Sequence, residues 1–198
     1  MIEKHIEEKL GLFNQEKYKI VRAGESIVLK EKSQSGKVVL NCTVKSDAII
    51  ITTPEKNVLR YLDESIKGAT SCADIFIFRK NEEDSWELHI IEFKKTIDTS
   101  TVAKSKNQLT MGIYNARAIA AFLGFEIRKI FLYSGFRKDS IKDLKATALS
   151  AIRANVANYN IVKLWKSDKW KLMIDDEEKE LEHSKIRLDA TGAGSCVI

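Results

Sequence analysis

Ser71-Cys72-Ala73-Asp74-Ile75-Phe76-Ile77-Phe78 and, a polar stretch later, His89-Ile90-Ile91-Glu92-Phe93-Lys94-Lys95 decide how this chain is read. The first is a run of large apolar residues entered through an aspartate. The second is apolar up to Glu92, and then places a carboxylate and an amine where the pattern calls for more core. Residues 73–79 and 86–94 are predicted as antiparallel strands joined by the turn-forming Lys80-Asn81-Glu82-Glu83-Asp84. Symmetry about that loop sets Asp74 opposite Ile91 or Glu92, so both carboxylates come to the same end of the hairpin. Side chains alternate along a strand, so Glu92 and Lys94 share a face and His89 points to the other. Unpaired charge is costly to bury, which marks this strand end as the first candidate for function.

Outward from the hairpin the periodicity changes several times. Residues 2–20 read as a helix, with Ile6, Leu10 and Phe13 on one stripe. Residues 26–31, 37–43 and 47–53 are short β-rich runs, predicted as an antiparallel meander. Thr53-Pro54-Glu55 is an N-cap followed by proline at the first helical position, and predicts a helix over 54–66. Beyond the hairpin, a helix over 104–123 ends at Gly124, and residues 127–134 form a further strand. A helix over 140–158 and a last hairpin, 161–165 with 170–174, complete the predicted core. Residues 175–198 turn acidic and then small, and are expected to be loosely ordered. The fold class implied is α/β, or α+β: a central mixed sheet flanked by helices, in one domain with its core over about 55–174 and an N-terminal helix and meander over 1–53.

At 198 residues, 44% hydrophobic and 31% charged, the chain is long enough for one sizeable core. No apolar run approaches the ~20 residues that span a bilayer, and the charged N-terminus is unlike a secretory signal, so a non-secreted, cytoplasmic protein is expected. Cys42, Cys72 and Cys196 are odd in number and widely spaced, which suggests neither a disulfide framework nor a zinc site. The net charge of +5 conceals an asymmetry: residues 94–171 hold sixteen Lys or Arg against five Asp or Glu. A chain basic in one half attracts polyanions, of which phosphate backbones are the commonest.

Glu-x-Lys alone decides nothing in so charged a chain, because Glu7-Glu8-Lys9 and Glu177-Glu178-Lys179 also match. What separates Glu92-Phe93-Lys94 is the partner strand that delivers Asp74 to it. Two carboxylates and the backbone carbonyl of Phe93 are hard oxygen ligands suited to Mg²⁺ or Mn²⁺. Such an ion polarises a phosphate and activates a bound water, and Lys94 is placed to orient that water or to stabilise developing charge.

On these residues the chain resembles the PD-(D/E)XK nuclease superfamily, which has the restriction-endonuclease-like fold. The likeness covers roughly residues 55–135: a hairpin bearing Asp74 and Glu92-Phe93-Lys94, then a helix, then a strand. It implies that Asp74 and Glu92 bind metal, that Lys94 assists the nucleophilic water, and that Gln108 joins the site from the following helix. It also suggests Glu64, from the helix before the hairpin, as a further ligand. Lys95, Lys104, Lys106, Arg117 and Arg137 become candidate contacts to nucleic acid, DNA in preference to RNA. A homodimer or a partner protein is compatible with this reading. The chain departs from the family pattern in two places. Ala73 stands where the motif has proline, and Gly112 stands where a tyrosine often follows the glutamine, with Tyr114 two residues on. These departures leave a catalytically inactive module of the same fold, binding nucleic acid or a protein partner, as the alternative.

Overall fold

Burial on both faces is what the apolar runs encode. A computed structural model describes residues 2–33, 36–52, 62–142 and 155–198. Its largest element is a seven-stranded mixed sheet in the order β1-β4-β5-β6-β7-β9-β8. These strands are β1 (Tyr18–Val21), β4 (Ala48–Thr52), β5 (Ile75–Lys80), β6 (Trp86–Ile97), β7 (Ile127–Asp139), β9 (Glu177–Arg187) and β8 (Lys169–Ile174). The pairs β6/β7 and β7/β9 are parallel and the remainder antiparallel. Among the described residues, three helices, α1 (Lys4–Leu10), α2 (Thr99–Leu123) and α3 (Val156–Lys166), contribute to the core on one face. The other face is covered by a three-stranded sheet, β10-β3-β2, built from β2 (Ser26–Ser33), β3 (Gly36–Thr43) and β10 (Ala193–Val197).

Alternation within single strands splits the core between these layers. Phe76 and Phe78 of β5, with Leu88 and Ile90 of β6, pack on the helical side, while Ile75, Ile77, Ile91 and Phe93 meet the small sheet. A strand covered on both sides needs apolar residues at every position, which explains the unbroken runs. The expectation of a sheet flanked by helices therefore holds on one face only. The predicted meander also divides: β2 and β3 pair as a hairpin, but β4 leaves them to join β5 and β1.

Other expectations are corrected nearer the ends. The first helix stops at Leu10 rather than residue 20, and Tyr18–Val21 is a strand. The helix predicted over 54–66 falls mostly on residues 53–61, outside the described residues, and 62–66 form turns. Most of the helix predicted over 140–158 likewise falls on 143–154, also outside them. Residues 161–165, read as a strand, lie within α3, whose N-cap Asn155 accepts from the Asn158 amide and whose Val162 and Trp165 are buried. The tail, expected to be loose, supplies β9 and β10. Its acidic side chains are matched across the ladder, Lys169 to Glu180 at 3.2 Å and Lys171 to Glu178 at 2.8 Å. Opposite charges on diagonal positions of a ladder add modestly to its stability, a relation that composition read along the chain does not reveal.

β7 continues through Ser134-Gly135, where a strand end was expected, and Gly135 pairs with Phe93. A Cβ built on Gly135 would stand 2.5 Å from Phe93 Cδ1. The ring occupies the space that any other residue would need. Gly135→Ala is expected to cost about 1–3 kcal/mol by overpacking, read as a shifted denaturant midpoint with unchanged m-value. A loss within experimental error would show that Phe93 does not fill this space.

Candidate active site

β5 begins at Ile75, one residue after Asp74, while β6 runs on past Glu92 to Ile97. Ile75 pairs with Ile91, and one step further the Asp74 amide donates to the Ile91 carbonyl at 3.2 Å. This register sets Asp74 opposite Glu92. The Phe93 amide donates to Asp74 Oδ2 at 2.6 Å. Within a strand the amide and carbonyl of one residue point the same way, so the Phe93 carbonyl also faces the side of β5, ahead of that strand's start.

Glu92 is 1% exposed, and its side chain lies on the helical face of the sheet together with that of Lys94. Glu92 Oε1 accepts from Lys94 Nζ, while Glu92 Oε2 is buried with no hydrogen-bond partner among the described residues. Lys94 Nζ also donates to Gln108 Oε1 at 2.9 Å. Gln108 reaches back with Nε2 to the Cys72 carbonyl at 3.2 Å, which ties the amine to the segment entering β5. One turn away, Lys104 lies on the same face of α2 as Gln108.

The placement of Gln108 follows from how α2 is held. Asp98 and Thr101 form a reciprocal capping box at its start, and Gly124 ends it in the left-handed conformation at φ +92°. Val102, Ser105, Leu109, Ile113 and Ala116 form its buried stripe. Asn107 Nδ2 donates to the Gly68 carbonyl at 3.1 Å and to Ser71 Oγ at 3.2 Å, fixing the loop that delivers Asp74. The two departures from the family pattern meet here: a Cβ on Gly112 would lie 3.2 Å from the Ala73 Cβ. Two small residues let the helix approach the start of the hairpin closely.

Electrostatics mark the pair as costly in isolation. Burial first, and then the neighbouring Asp74, raise the Glu92 carboxyl to about 8 against the opposing pull of Lys94. Burial likewise lifts Asp74 to about 6, against the Phe93 amide, which favours the charged form. Glu31 of β2 adds negative field at both, a contribution that strand periodicity alone could not reveal. Burial raises Cys72, behind the pair, to about 12, leaving it a thiol rather than a nucleophile.

Other predicted residues lie elsewhere. Glu64 is exposed in the turns between β4 and β5. Arg117 is held by Asp175, with Nη1 at 2.7 Å and 2.9 Å from the two carboxylate oxygens. Arg137 donates to the Lys37 carbonyl beside the small sheet. Lys95 is exposed near the end of β6. Lys106 is half-buried on α2.

Among the described residues no cluster of three or more His, Cys, Asp or Glu forms, so any metal here would rest on two carboxylates and a carbonyl. The donor set fits a hard divalent cation that keeps several waters: two converging carboxylates, one with an unused buried oxygen, repel each other in the absence of positive charge. No family model matches the chain, and neither a curated protein nor a solved structure is detectably similar to it.

Proposed function

We propose that this chain is a metal-dependent nuclease of the PD-(D/E)XK type, hydrolysing phosphodiester bonds in nucleic acid, with DNA in preference to RNA. The observation that carries this reading is the register that sets half-buried Asp74, at the entry to β5, opposite buried Glu92 of β6, with Lys94 on the same face as Glu92. Mg²⁺ or Mn²⁺ bound there would polarise the phosphate and lower the pKa of a bound water. Asp74, Glu92 and the Phe93 carbonyl are the groups that would hold it. Lys94 brings a positive charge and three donor protons to within reach of the attacked phosphate, where it steers water and offsets developing negative charge. Gln108 positions that amine, and Lys104 extends positive charge along the same helix face.

A second reading, a catalytically inactive module of the same fold that binds nucleic acid or a protein partner, draws on the engagement of Lys94 by both Glu92 and Gln108. Incubating plasmid, single-stranded DNA and RNA with Mg²⁺ or EDTA, using wild type, Glu92→Ala and Lys94→Ala, separates the two. Divalent-dependent cleavage of DNA that both substitutions remove supports the nuclease. Cleavage that survives both refutes the site, and EDTA-resistant binding with no cleavage supports the module.

A further inference from the structure

The parallel register of β6, β7 and β9 lays out two rows across the helical face of the sheet. Glu92 pairs with Ser134, which pairs with Lys185. Lys94 pairs with Phe136, which pairs with Arg187. Each row begins with a residue of the candidate active site and ends, two strands away, with a cation. Both cations sit on the helical side: Lys185 Nζ lies 5.4 Å from the Trp165 ring centroid, and the Arg187 guanidinium 5.4 Å from that of Phe136. Ile186, between them, turns to the small sheet.

We infer that Lys185 and Arg187 form a phosphate-binding shelf that grips the nucleic-acid backbone beside the bond being cut. This rests on the nuclease reading and gives it a substrate path. Two strand spacings put the shelf about 10 Å from the carboxylates. That separation is on the scale of neighbouring phosphates along one strand of nucleic acid. Beside Lys185 lies a cavity of about 280 Å³ lined also by Lys142, Lys166, Trp165 and Asp139. Asp139 does not repel an anion from its rim with free oxygens. Its Oδ1 accepts from the Ile141 and Lys142 amides at 3.0 Å and 2.9 Å, and its Oδ2 from Trp165 Nε1 at 2.9 Å. Among the described residues the one acidic partner of Lys185 is Asp168, 3.6 Å away and 95% exposed, a pairing too weak to hold the amine from a phosphate. The flat faces of Phe136 and Trp165 support the two cations and limit the conformations they lose on binding.

The test compares wild type with Lys185→Gln/Arg187→Gln and with a charge-matched control at the opposite end of β7, Arg128→Gln/Lys129→Gln. Binding of a short fluorescent DNA, single-stranded and duplex, is titrated over a range of KCl in EDTA, so that cleavage plays no part. The shelf variant is expected to bind more weakly and to lose about 1.8 from the slope of log K against log salt on duplex, or about 1.4 on single strands. The control should keep the wild-type slope. Equal losses in both variants would reduce the effect to net charge and overturn the shelf, as would an unchanged slope in the shelf variant. Cleavage in Mg²⁺ then tests the parent reading separately. A shelf-dependent salt slope together with cleavage indifferent to Glu92→Gln would leave the shelf standing and remove the active site.

Discussion

Glu92→Gln is expected to lower divalent-dependent cleavage by at least about 10³-fold, some 4 kcal/mol of barrier, without lowering the stability of the metal-free fold. The substitution keeps the shape of the side chain and an oxygen for Lys94 Nζ to donate to. What it removes is the capacity to become anionic in a place where burial and Asp74 hold the carboxyl at about 8. An ordinary buried residue of a core strand would lose stability when altered; a group kept for its charge loses function and relieves repulsion instead. A second readout follows from linkage. If the pair holds a divalent ion, Mg²⁺ at a hundred times its dissociation constant stabilises wild type by about 2.7 kcal/mol, and this increment disappears in the variant. Wild-type rates in Glu92→Gln would defeat the assignment. Metal-dependent stabilisation without cleavage, lost in the variant, would select the noncatalytic module.

The hairpin was legible because its evidence is local. A polar loop of fixed length narrows the register to Asp74 opposite Ile91 or Glu92 and alternation puts Lys94 on the Glu92 face, and the ladder then decides for Glu92. Gln108 came from the family resemblance, and only the Gly124 end of α2 was legible: the helix starts at Thr99 behind the Asp98 cap, ahead of the expected residue 104. Non-local pairing was not legible. Nothing in residues 48–52 says that they will desert β3 for β5, and nothing in the charged run of β9 says that it will slot between β7 and β8. In β9 only His183, Ile186 and their neighbours against the core reveal a strand, while the exposed charges suggest a solvated tail. The same non-local pairing brings Lys185 and Arg187 beside the site, and the small sheet brings Glu31. Residues 161–165 misled because Ile161, Val162 and Trp165 suit a strand by composition, whereas the cap at Asn155 and packing on Phe136 and Trp170 decide for a helix.

Acid should unfold this protein through two histidines that the candidate site does not use. His183 is 2% exposed, stacks on Trp170 with ring centroids 4.1 Å apart, and holds Ser134 Oγ at 2.9 Å through Nε2. His89, also 2% exposed, lies on the opposite face, against Phe131 at 4.8 Å and with Nδ1 2.9 Å from the Tyr133 hydroxyl. Its Nε2 is 3.6 Å from Glu87 Oε2, beyond hydrogen-bonding distance, and that oxygen is already bound by Arg79 at 2.5 Å. Burial holds both rings neutral, lowering each from 6.5 to about 3. Between those values the unfolded chain binds more protons than the folded one, so stability is complete above pH 6.5 and falls as the pH drops. At pH 4.5 each histidine accounts for about 2.7 kcal/mol, and the two together approach the whole stability of a typical domain. Asp74 and Glu92 act in the opposite sense. Their raised values stabilise the fold fully in acid, and that contribution is lost as the pH rises through about 6 and about 8. The wild-type curve is therefore a sum, and variants are needed to divide it. His183→Phe keeps a ring against Trp170 but strands Ser134 Oγ, at a cost of about 1–3 kcal/mol near pH 7.5. By pH 4.5 the gap to wild type should narrow by about 2.7 kcal/mol or reverse, because the variant has no proton to refuse. His89→Phe should narrow it by a similar amount through loss of the other ring. Urea denaturation at the two pH values measures both gaps, and a gap that stays constant would mean that these rings do not carry the acid sensitivity.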